Sequence, residues 1–142
     1  MADGDKLPGP DHVVRYCQQS RFKGGKISDA NFAPRPRDGG RLSTNWVECI
    51  HVPLNERNDA GAVARLCRVL RFDVRDYIAF LQVEEVRKIG AAGVSLDVRE
   101  QGGNCHAVIM NVASATSSLE GAFEVQAALA RLARNRCRPA LA

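Results

Sequence analysis

The sequence predicts one α+β domain, a mostly antiparallel sheet with two main helices packed on one side. Three observations predict it. Short segments that alternate apolar and polar residues, or stay apolar throughout, recur between residues 12 and 112. Two stretches carry apolar residues at helical spacing, one capped by Asn58 or Asp59 and running to about residue 71, the other opened by Ser117 and ended near Arg134. Strands and helices do not alternate regularly enough for a doubly wound sheet.

The length of 142 residues suits one domain with a core of its own, needing neither metal nor cross-links. We divide the chain into a flexible leader at 1–11, an α+β domain at 12–136 and a short tail at 137–142. The leader, MADGDKLPGP, is polar and turn-rich and lacks the basic-then-apolar pattern of a signal sequence. No apolar run reaches the length of a membrane span. The expected compartment is therefore the cytoplasm, with no membrane partner.

Taken in order, His12 to Cys17 alternates and is β-branched, so it reads as a first strand with Val13 and Cys17 on one face and Val14 and Tyr16 on the other. Residues 27–35 read as a second extended piece, stopped by Pro34 and Pro36. Asp38-Gly39-Gly40 is a turn signal. Asn45 followed by Glu48 resembles a capping box, placing Trp46 in the first turn of a short helix that must stop by Pro53. The 77–83 run, YIAFLQV, reads as a strand covered on both faces, followed by a helical turn. Residues 94–99 alternate, with Val94, Leu96 and Val98 inward. Gln101-Gly102-Gly103-Asn104 then turns the chain into a strand at 105–112, a hairpin expected in the middle of the sheet, with His106, Val108, Met110 and Val112 on one face. The final helix places Ala122, Val125, Leu129 and Leu132 on one stripe.

Five cysteines, at 17, 49, 67, 105 and 137, are an odd number at wide spacing with no C-x-x-C pair. All five are expected to be reduced, with no metal and no cofactor. Only Cys49-x-His51 and Cys105-His106 bring thiol and imidazole together. If they met in space they would supply four zinc-type ligands or an activated sulfur, although neighbouring strand residues point to opposite faces. No catalytic residue is assigned, and the glycine pairs lack phosphate-loop spacing.

Charge is uneven along the chain. Residues 21–41 hold six cations, Arg21, Lys23, Lys26, Arg35, Arg37 and Arg41, against two acids, and the last twelve residues hold four arginines and no acid. The first group is interleaved with Phe22 and Phe32, a pattern able to track phosphates and stack bases.

Arg15-Tyr16, Gly25-x-Ile27-Ser28 leading to Phe32, Leu42-Ser43-x-Asn45-Trp46 with Glu48, and His106-Ala107-x-Ile109 together resemble a family of small bacterial proteins over residues 12–112. The resemblance implies bacterial origin and one compact domain, and it carries over no catalytic residue. Within these motifs, Arg15, Tyr16, Phe32, Asn45, Trp46 and His106 are the candidate residues for a ligand or partner. Trp46 also reads as a core anchor. The leading functional expectation is a non-enzymatic binding or accessory protein of a bacterial cytosolic system, with a protein partner. Binding of single-stranded RNA or DNA through 21–41 comes second, and a small Cys/His enzyme or metal protein third.

Overall fold

The computed structural model describes residues 4–17, 27–34, 40–50, 77–91, 94–103, 105–112, 119–134 and 137–139. The expected helix at 58–71, the Ser117 cap and His51 lie outside them. Strands β1 (His12–Cys17), β2 (Leu42–Trp46), β3 (Tyr77–Gln82), β6 (Asp97–Glu100), β7 (His106–Met110) and β8 (Cys137–Pro139) form one sheet in the order β6-β7-β2-β1-β3-β8, and every pairing is antiparallel. A separate hairpin joins β4 (Gly90–Ala91) to β5 (Val94–Ser95). Helices α1 (Val83–Arg87) and α2 (Leu119–Arg134) pack against the sheet. The α+β class is the one read from the sequence.

Side-chain alternation decides where the core lies. The register aligns Val13 with Leu81, Leu42 with Ile109 and Val98 with Ile109, so these side chains share one face. Val83 and Val86 of α1, and Val125, Leu129, Ala130 and Ala133 of α2, complete a single cluster with them and with Phe32. Burying each of its larger side chains stabilises the fold by roughly 1.5–3 kcal/mol. Val14, Ile78, Phe80 and Val108, on the alternate positions, are buried as well. That explains why 77–83 reads as unbroken apolar sequence.

Several expectations are corrected. Residues 29–32 form a 3-10 helix (Asp29–Phe32), because the Asn31 side chain accepts the Ser28 N–H at 3.3 Å and the Asn31 N–H bonds to the Ser28 carbonyl at 3.0 Å. A local Asx bond has won over extension there. Trp46 is the last residue of β2, and the 3-10 helix (Glu48–Ile50) begins only after it. The 94–99 segment is broken at Leu96 into β5 and β6. The 97–110 hairpin lies at the edge of the sheet. Asn111, with a φ of 67°, turns the chain so that Val112 joins the core, away from the face of His106.

Both termini are used structurally. Residues 4–7 run along the outside of β6: Gly4 N–H donates to the Glu100 carbonyl at 2.8 Å, Glu100 N–H to Asp5 at 2.9 Å and Leu7 N–H to Val98 at 3.1 Å. Leu7 is buried. The expected loose leader therefore covers an edge that would otherwise expose unpaired backbone. Within the expected tail, Cys137–Pro139 pairs with β3 and closes the opposite edge. No described helix is long and apolar enough to cross a membrane.

Candidate functional site

One end of the sheet gathers His12, Asn45, Trp46, Glu48 and His106. The register places His12 at the start of β1, Trp46 at the end of β2 and His106 at the start of β7, with Asn45 directly opposite His106. The Val47 N–H carries the ladder one step further by donating to the His12 carbonyl at 3.0 Å. The chain then coils into the Glu48–Ile50 turn, which brings the Glu48 carboxylate back over His12.

Glu48 holds both donors of that residue. The His12 N–H donates to Oε1 at 2.6 Å, and Nδ1 of the ring lies 2.8 Å from Oε2. With Glu48 ionised, Nδ1 carries the proton and donates it, which fixes the ring. Burial by itself would raise the Glu48 pKa. The bonds from the His12 side chain and backbone, its own N–H and the electrostatic pull of His12 outweigh that and hold the carboxyl below its ordinary 4.5.

Beside Glu48, Cys49 is joined to Cys105 by a disulfide across a Cα–Cα distance of 5.4 Å. The expectation of five reduced thiols is corrected here. Cysteines 56 positions apart converge because the exit of β2 and the entry of β7 are neighbours in the antiparallel ladder, and that follows from register alone. Cys17 stays a thiol, buried in the core, and donates to the Arg15 carbonyl at 3.6 Å. While the bond stands, neither bridged sulfur is a nucleophile or a metal ligand. Among the described residues, no group of three or more His, Cys, Asp or Glu is placed to hold a metal ion.

The turn before β7 is tightly specified. Gly102 and Gly103 have φ of 74° and 73°, which glycine adopts without penalty, whereas Cys105 has a φ of 62°. A cysteine in that region costs about 1–2 kcal/mol. Its conformation is held by the disulfide and by the Trp46 N–H, which donates to its carbonyl at 2.7 Å. The His106 ring is anchored through Nδ1, 3.1 Å from the Gln101 carbonyl, so that nitrogen carries the proton. Trp46 packs against the core while its indole N–H donates to Asp11 Oδ2 at 2.8 Å.

The sequence-nominated residues thus separate into groups. Asn45, Trp46 and His106 come together at this end. Arg15 and Phe32 meet elsewhere: Arg15 donates through Nε to the Asn31 carbonyl at 3.0 Å and through a terminal nitrogen to Ser43 at 2.8 Å, fastening the 3-10 turn that seats Phe32 fully in the core. Tyr16, opposite Ile78, is half-buried. Of the six cations in 21–41, only Arg41 lies within the described residues, and it is exposed. Sequence reading missed His12 and Glu48 as a pair. The one available signal was their company, since His12 opens a strand and Glu48 sits beside a cysteine.

Comparison with protein-family models, curated proteins and solved structures finds no significant match to the chain.

Proposed function

We propose that the chain is a non-enzymatic binding protein of a bacterial cytosolic system, and that it meets a protein partner at the sheet end bearing Asn45 and His106. The supporting observation is convergence. Asn45 and His106, both nominated from sequence motifs, are half-buried cross-strand partners on one face, on a backbone pinned by the Glu48–His12 contact and the disulfide. Rigid presentation of polar groups lowers the ordering cost of binding. An enzymatic reading has less support, since both described imidazoles spend Nδ1 on structural partners and the two nearby sulfurs are bonded to each other.

A photo-crosslinking residue at position 106 should capture a discrete protein partner from bacterial lysate, and the same group at the exposed Lys88 should not. Equal capture at the two positions would overturn the assignment of the surface. Binding of single-stranded RNA or DNA that weakens steeply with salt would replace the protein partner with a nucleic acid. The expected titration shows none.

A further inference from the structure

We propose that Cys49–Cys105 is a reversible thiol–disulfide exchange site, reduced by a dithiol, and that its redox state sets the conformation of the β7 entry turn beside Trp46. Both cysteines are partly exposed, so a thiolate can reach the bond, whereas Cys17 is fully buried. The link adds stability, but the sheet ladder and the core are built from other contacts. Asn45 to Leu42 remain zipped to His106 to Ile109 by the ladder, and the core cluster contains neither bridged cysteine. The exchange rests on the proposed cytosolic role, since disulfides that form in the cytosol are mostly transient and catalytic or redox-sensing.

The structure also carries a route from sulfur to surface. Cys105 sits in the left-handed region at φ 62°, a conformation that residues other than glycine keep only under constraint. Reduction removes one of its constraints, and the carbonyl that accepts the Trp46 N–H belongs to the same residue. Cys49 shares its single 3-10 turn with Glu48, so the hold on His12 loosens from the other side.

In the exchange, one thiolate of the dithiol attacks a sulfur of the pair, forming a mixed disulfide and expelling the other cysteine as a thiolate that takes up a proton. The second thiol of the reagent then displaces the remaining cysteine and closes the reagent's own disulfide. Two electrons pass to the protein and two leave the reagent.

The test uses the full chain and its single Trp. Under native conditions an alkylating reagent should leave Cys49 and Cys105 unlabelled. After dithiothreitol both should be labelled, with Cys17 still protected, and Trp46 emission should shift. Oxidised dithiothreitol or diamide should restore the original spectrum. Cys105→Ser should hold the reduced-state emission under every reagent, and Cys49→Ala supplies the same reading if the serine variant folds poorly. Labelling of both cysteines before reduction would overturn the proposal, as would resistance to dithiothreitol until the chain unfolds, or full reduction with no change at Trp46. None of these outcomes bears on the protein partner, so the two proposals stand or fall separately.

Discussion

At one end of the sheet Glu48 holds the backbone N–H and imidazole of His12. At the other, Asp97 accepts from Arg87 Nε at 2.9 Å and Arg99 Nε at 3.1 Å, with Lys6 Nζ 3.7 Å away. Register separates the two ends: Asp97 pairs with Met110 and Asn45 with His106, four residues or roughly 13 Å apart along β7. Arg87 also donates to the Leu7 and Val98 carbonyls at 2.7 and 3.3 Å, locking the N-terminal segment to β6. Guanidinium groups stay charged at any ordinary pH and carry no breakable bond. The Asp97 end is therefore a fixed fastening. The Glu48 end lies beside a reducible link, so it can respond to a reductant that leaves the other end unchanged.

The largest effect should come from the disulfide, which closes a loop long enough to be worth about 2–4 kcal/mol. Cys49→Ser should lower urea stability by that amount, and dithiothreitol should reproduce the loss in the native sequence without adding to it in the variant. Amide exchange at Val98, beside Asp97, should stay slow in both. Faster exchange there would mean that the two ends are coupled.

Arg87→Met comes next, at about 1–3 kcal/mol, because it strips a half-buried carboxylate and two backbone carbonyls of one donor. Its loss should be insensitive to reductant. Truncation after Arg134 touches neither carboxylate but removes the β8 ladder on β3, so thermal melting should report a loss of about 1–2 kcal/mol. An unchanged melting temperature would show that β8 adds nothing to the fold.

The smallest effect is the most diagnostic. Burial would raise the Asp97 pKa, but the Arg87 hydrogen bond, the Val98 N–H and the charges of Arg87 and Lys6 hold it below its ordinary 3.8. Glu48 is likewise held below 4.5. Carboxyls depressed in the folded state add stability that is complete above their ordinary value and is lost as pH falls below it. Glu48→Gln should therefore cost about 1 kcal/mol at neutral pH, and the variant should converge on the native chain in urea midpoint as the pH falls below 4.5. A gap that persists in acid would place the loss in packing instead of charge.

Periodicity was enough to define β1, β3 with its following helical turn, and α2, because burial of one or both faces imposes alternation or helical spacing on the residues themselves. It failed where a local side-chain bond or a long-range partner decides the backbone. Asn31 coils residues that would otherwise extend, and Trp46 stays in a strand because β1 and β7 flank it, despite a plausible cap at Asn45.

By itself, the sequence determined the α+β class and the inward faces of its main strands, and it nominated Asn45, Trp46 and His106. Only the tertiary structure decided that residues 4–7 and 137–139 close the sheet's edges, that Glu48 clasps His12, and that Cys49 finds Cys105. The reason is physical. Apolar periodicity records burial, which is local to each element, whereas these contacts depend on strand order and register, which join residues that the chain itself keeps far apart.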